Sequence, residues 1–126
     1  MPETREQSVM ERRRFIRINA NVVIKVEEMM GKITTSKAVS KNISLGGLLF
    51  EYYKPFPLST VLSLELRIPE IGKRLECYAK VVRVEEIVSG TVYDIGVSFM
   101  SMDEIDLSEL NRYIQIKIKS CGESKK

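Results

Sequence analysis

From Ile18 onward, apolar and polar residues alternate with a period of two. Ile18, Ala20, Val22, Ile24 and Val26 fall on one side, and Arg17, Asn19, Asn21, Lys25 and Glu27 on the other. Successive side chains of a strand point to opposite faces, so this pattern predicts a half-buried strand. Met30-Gly31-Lys32 predicts a turn, and residues 34–41, rich in small and β-branched side chains, predict a returning strand. Gly46-Gly47 interrupts the pattern, and Leu48-Leu49-Phe50-Glu51-Tyr52 resumes it as a short strand. Pro55 and Pro57 put residues 54–57 in a loop, because proline offers no ladder donor. Leu62, Leu64, Leu66 and Ile68 then alternate with Ser63, Glu65 and Arg67, the cleanest strand of the chain. A turn at residues 69–73 leads to a strand over 75–85, whose alternation slips at Val81-Val82 and predicts a bulge. Ser89-Gly90 turns the chain into a last strand over 91–100.

The period changes after that. Leu107, Leu110, Ile114 and Ile118 recur at helical spacing and predict a helix over about 102–119, with this stripe as its core face. Ser101-Met102-Asp103-Glu104 has the S-x-x-E form of a capping box, and Lys117 and Lys119 suit the far end of the helix dipole. Six strands followed by one helix predict a six-stranded antiparallel β-barrel with a C-terminal α-helix packed on it. The absence of β-α-β alternation excludes a parallel nucleotide-binding sheet. The expected organisation is a disordered lead over residues 1–10, one barrel domain with its helix over 11–119, and a polar tail over 120–126.

Composition narrows the classes. A chain of 126 residues, 44% hydrophobic and 29% charged, suits one globular domain with its own core. No apolar run approaches the roughly 20 residues that span a bilayer, and Met1 to Arg17 lacks the apolar centre of a signal peptide, so a cytoplasmic protein without a transmembrane segment is expected. Two cysteines and no histidine exclude the usual zinc ligand sets within one chain, and no metal or cofactor is expected. Cys77 lies in a strand pattern and reads as a small buried apolar residue, whereas Cys121 reads as a free thiol in the tail. The net charge of +3 sits at the ends: residues 1–17 carry five arginines against three glutamates, and residues 117–126 four lysines against one glutamate. The body between them is slightly acidic, with 11 basic and 13 acidic residues, which is not the basic face of a general nucleic-acid binder.

Two motifs carry chemistry. Glu11-Arg12-Arg13-Arg14-Phe15-Ile16-Arg17 contains R-x-x-x-R at Arg13 and Arg17, and Asn42-Ile43-Ser44-Leu45-Gly46-Gly47 reads N-x-S-x-x-G at Asn42, Ser44 and Gly47. Guanidinium forks fit phosphates bidentately and stack on aromatic rings. The second motif offers short hydrogen-bonding side chains and a glycine where the backbone can approach closely or take a positive φ. Together they describe a site for a phosphate-bearing ligand with a polar aromatic base. The plainer alternatives are a solvated arginine cluster and an ordinary turn whose asparagine and serine bond to local backbone. No histidine, metal cluster, nucleophile motif or phosphate-binding G-x-x-x-x-G-K-S/T loop is present. Asp94 and Glu65, the one carboxylate pair worth weighing, have simple strand-surface readings, so no catalytic residue and no enzyme activity are expected.

In this order, on a chain of six strands and a helix, the motifs resemble the PilZ domain family, bacterial receptor modules for cyclic di-GMP. The resemblance runs from about residue 11 to about residue 118, and residues 93–99 look like the family's last barrel strand. It implies cyclic di-GMP as ligand, bound by Arg12, Arg13, Arg17, Asn42, Ser44 and Gly47, with Arg14, Lys41 and Gly46 as secondary contributors. Asn42 stands where many members carry aspartate. Arg12 stands where the family sets ligand stoichiometry, and an arginine there looks like the arrangement that takes a stacked pair. The implied mechanism is an arginine arm that the ligand orders against the barrel, with the signal passed to an unidentified protein partner in motility or biofilm control. The protein would be a monomer or homodimer and would bind no nucleic-acid polymer. Two other readings compete: a PilZ-like interaction module that binds no nucleotide, and a small barrel that binds RNA or single-stranded DNA.

Overall fold

Ile18, Ala20, Val22, Ile24 and Val26 are all buried, as their alternation requires, and so are Leu62, Leu64, Leu66 and Ile68. The computed structural model describes residues 16–29 and 35–124. Its strands are β1 (Ile18–Asn19), β2 (Val23–Glu28), β3 (Thr35–Ile43), β4 (Gly47–Tyr52), β5 (Val61–Ile68), β6 (Lys73–Val88) and β7 (Val92–Met102), and one helix follows, α1 (Glu104–Ser124). The order β3-β2-β5-β6-β7-β4 closes on itself because β4 also pairs with β3, and β1 adds a short rung beside β3. All pairings are antiparallel. This is the six-stranded antiparallel barrel with a C-terminal helix that the pattern predicts. Its interior is filled by Phe50, Ile24, Leu62, Leu64, Leu66, Leu75 and Ile95, each essentially without exposure. Burying a side chain of this size is worth about 1.5–3 kcal/mol.

The first strand, expected to run unbroken, is split. Ser40 supplies the reason. Its hydroxyl donates to the Ala20 carbonyl at 2.5 Å and accepts the Val22 N–H at 2.9 Å, so a buried side chain of β3 bonds the backbone on both sides of the break between β1 and β2. Opposite this break, β3 carries a bulge against β4, with Lys41 as the extra residue between the pairs Ser40–Phe50 and Asn42–Leu49. The bulge expected at Val81-Val82 is present, as a register shift between Val81 and Arg83.

The helix starts later than expected, and its cap differs. β7 runs on to Met102, with Ser101 and Met102 still paired to Tyr78 and Cys77, so Ser101 belongs to the ladder and cannot cap. Asp103 caps instead: its carboxylate accepts the Ile105 N–H at 3.1 Å and its carbonyl accepts the Leu107 N–H at 2.8 Å. The helix also continues beyond residue 119, to Ser124, with Gly122 inside it. Its buried face is Asp106, Leu110, Tyr113 and Ile114, while Leu107, expected on that face, is 39% exposed. Asp106 takes the place expected of Leu107 because it has partners: it accepts from Lys73 Nζ at 2.8 Å and from the Glu76 N–H at 3.3 Å, which keys the helix to β6. Lys117 reaches Glu70 at 3.2 Å. Among the described residues no helix is long and apolar enough to cross a membrane.

Candidate functional site

The bulge in β3 positions the first functional side chain. A regular strand would turn Lys41 and Asn42 to opposite faces. The extra residue turns both outward, between buried Ser40 and buried Ile43. β1 then lies against this segment, with Ile18 opposite Ile43 and Asn19 opposite Asn42. Arg17, one residue ahead of β1, is thereby brought to Asn42, and its Nη1 donates to Asn42 Oδ1 at 2.7 Å. The second arginine of R-x-x-x-R and the first residue of N-x-S-x-x-G are in direct contact, 25 positions apart in the chain.

Ser44 and Gly47 build the turn between β3 and β4. The Ser44 N–H donates to the Gly47 carbonyl at 2.8 Å. The Ser44 hydroxyl accepts the Gly46 N–H at 3.1 Å and donates to the Gly47 carbonyl at 3.3 Å. The Gly46 carbonyl accepts the Phe99 N–H at 2.9 Å, which ties the turn to β7. Of the two uses open to Gly47, close approach is the one realised: a Cβ there would stand 1.9 Å from the Val97 carbonyl oxygen, and among the described residues the positive-φ glycines are Gly72 and Gly90. Buried Ser44 therefore shapes the turn, and it also lines the cleft above it.

Lys41 has its own partners. Its ammonium lies 2.9 and 3.0 Å from the two oxygens of Asp94 and 3.4 Å from Glu51. The hydrogen bond that Lys41 donates to Asp94 holds the Lys41 pKa above the usual lysine range, against the opposing effect of burial. Asp94 is buried, not on a strand surface as its pattern suggests, because this ammonium reaches it. Glu65 sits on β5, separated from β7 by β6, and is held by Arg67 at 3.0 Å and Arg74 at 3.7 Å. Asp94 and Glu65 thus do not form a carboxylate pair. Tyr52 and Phe56 are buried and stack at 5.1 Å, whereas Tyr53 is exposed. The readings that rest on Arg12, Arg13, Arg14, the lead, the 30–32 turn and the Cys121 thiol lie outside the described residues and side chains.

Above the Ser44–Gly47 turn lies a cleft of about 450 Å³. Sites for small ligands run roughly from 300 to 1,000 Å³. Arg17, Ser44, Gly46 and Gly47 line one side of it, and Lys80, Val82, Ser98 and Phe99 of β6 and β7 the other. Among the described residues none that lines it is acidic, and two, Arg17 and Lys80, are cations. A cleft of similar size, about 470 Å³, lies at the β5–β6 turn and is also basic, with Arg67, Lys73 and Arg74. Those cations are already paired with Glu65 and Asp106, which leaves less field for an anion. The β6 and β7 residues were not foreseeable as part of the site. Alternation turns Lys80 and Ser98 outward, but nothing in the chain says that their strands stand beside the Gly46-Gly47 turn.

The sequence profile described as the PilZ domain matches residues 11–115. A comparison with curated proteins finds no match. Among solved structures, the fold is similar to that of the Bacillus subtilis inhibitor of motility, MotI/DgrA, with a TM-score of 0.71 and 20% identity over 83% of this chain and 51% of that one. It is similar to the PilZ domain of YcgR from Escherichia coli, solved with c-di-GMP, with a TM-score of 0.68 and 16% identity over 91% of this chain and 98% of that one. It is also similar to MrkH of K. pneumonia in its apo state, with a TM-score of 0.69 and 18% identity over 89% of this chain and 52% of that one. The chain spans about half the length of MotI/DgrA and of MrkH. At these identities the likeness is one of fold.

Proposed function

We propose a function from one premise, that this chain belongs to the PilZ domain family: it is a receptor for cyclic di-GMP, bound where Arg17 and Asn42 meet. The observation that carries the reading is the 2.7 Å bond between these two side chains, at the edge of a cleft that no acid lines among the described residues. A guanidinium has five N–H donors, and one of them is used on Asn42, so the others remain for phosphate oxygens or the O6 and N7 of guanine. Asn42 Oδ1 has a second lone pair for a guanine N–H, and its amide N–H groups can donate. Gly47, whose absent Cβ makes room for the Val97 carbonyl, lets β4 and β7 close into the floor beneath the ligand. Arg12 and Arg13, from the segment ahead of Arg17, close over the ligand, and Arg14 adds charge around it. The ordered arm and the filled cleft form a surface that the unliganded protein lacks. A protein partner that prefers this surface receives the signal, since a ligand shifts an equilibrium only by its differential affinity for two states.

Titration calorimetry of the wild-type chain, Arg17→Ala and Asn42→Asp tests the reading. Cyclic di-GMP should bind saturably and GTP should not. Arg17→Ala should weaken binding by about ten- to a hundredfold, the worth of a charge-assisted hydrogen bond, with an unchanged far-UV circular dichroism spectrum because Arg17 is exposed. Asn42→Asp should tighten binding several-fold, because a carboxylate accepts more strongly than an amide. Equal affinity of Arg17→Ala and wild type would refute the clamp.

A further inference from the structure

Lys80 belongs to neither motif, yet the strand register places it in the same site. Gly47 of β4 is directly opposite Ser98 of β7, and Ser98 is directly opposite Lys80 of β6. Residues opposite each other in antiparallel strands share a face. The buried neighbours Ala79 and Val81 turn Lys80 outward, and buried Val97 does the same for Ser98. Gly47, Ser98 and Lys80 are therefore one row across the outer face of the barrel, and all three line the cleft. Gly47 contributes no side chain, so the row descends from Lys80 through the short Ser98 to a bare backbone. The two strand spacings between Gly47 and Lys80 come to roughly 9–10 Å. A lysine stem covers a good part of that distance.

The electrostatics single out the same residue. Lys41, on the far side of β4, and Arg83, further along β6, are each held by carboxylates. Among the described residues Lys80 has no ion pair, and the cleft it lines has no acid. Among the described residues its cationic companion there is Arg17, on the opposite wall.

We infer that Lys80 is a ligand-contacting residue: its ammonium binds a phosphate of the dinucleotide from the barrel side, opposite Arg17, with Ser98 beside it as a hydroxyl donor. The inference rests on the receptor reading above. It makes the site a clamp with one cation on a rigid strand and the other on the segment that precedes β1.

Calorimetric titration of cyclic di-GMP into wild type, Lys80→Met and Lys80→Arg, at low and at higher salt, tests it. Lys80→Met should weaken binding by about ten- to a hundredfold and flatten the dependence of affinity on salt, because one phosphate contact is gone. Lys80→Arg should stay within a few-fold of wild type. Melting temperatures should be unchanged, since the side chain is exposed and unpaired. If wild type binds and Lys80→Met binds equally well, the inference is overturned while the receptor reading stands. A loss of affinity with an unchanged salt dependence overturns the phosphate assignment. If wild type itself does not bind, the receptor reading falls, and this inference with it.

Discussion

Gly47 faces the carbonyl oxygen of Val97 so closely that a Cβ would stand 1.9 Å from it. This seam, where β4 meets β7, forms the floor of the cleft. Gly47→Ala must push one strand from the other, because the obstacle is backbone and not the tip of a flexible side chain. A cost of about 1–3 kcal/mol is expected, read as a fall in melting temperature of roughly 4–12 °C. Ligand affinity should fall with it. The glycine of N-x-S-x-x-G is thus required by the barrel itself, and its loss alone does not demonstrate a ligand contact. A fully stable Gly47→Ala protein would contradict this packing.

The Lys41–Asp94 pair should show itself at alkaline pH. The Asp94 hydrogen bond raises the folded-state pKa of Lys41 above its ordinary value. A group whose pKa is raised on folding lends stability that is complete below its unfolded pKa and is lost as pH rises through the folded one. The contribution is therefore present at neutral pH and disappears above about pH 10.5. Lys41 is more than a third exposed, so water screens the pair, and Asp94→Asn should cost only about 1 kcal/mol at pH 7. Urea unfolding at pH 7 and above pH 11 checks this. A mutant deficit that persists undiminished at the higher pH would contradict it.

Cys77 should be chemically silent. Burial, with a lesser push from Asp106, raises its thiol to about 12. The thiolate is the reactive form, so at pH 8 the folded protein exposes almost none of it. In a Cys121→Ser background, a chromogenic disulfide reagent should react with Cys77 only as fast as the protein opens, and promptly in denaturant. The same shift makes Cys77 a source of stability below pH 9 that declines as pH climbs towards 12. Rapid labelling in the folded state at pH 8 would show that β6 opens near Cys77.

The barrel was legible in the alternation because each strand buries one face and wets the other. The residues that break the pattern were not. Ser40 reads as one more small residue of a strand, and nothing local marks it as the side chain that completes the β1–β2 junction. The capping box at Ser101 was sound as a local rule but lost to the β6–β7 ladder, which holds Ser101 and Met102 in strand geometry. Asp106 occupies a buried position of the helix because Lys73 and the Glu76 N–H await it, a relation that helical periodicity cannot see. The spacing of N-x-S-x-x-G singled out Asn42, Ser44 and Gly47, and the structure brings Arg17 to the first of them. Lys80 and Ser98 escaped because their place in the site depends on which strands are neighbours.

The most direct test of the account is amide chemical-shift mapping of the labelled protein titrated with cyclic di-GMP. Shifts concentrated at Arg17, Asn42, Ser44, Gly46, Gly47 and Ser98, with Gly72 and Lys73 of the second basic cleft unmoved, are the predicted result. Saturable binding whose shifts fall at the β5–β6 turn, or an unperturbed spectrum at high ligand, would contradict it.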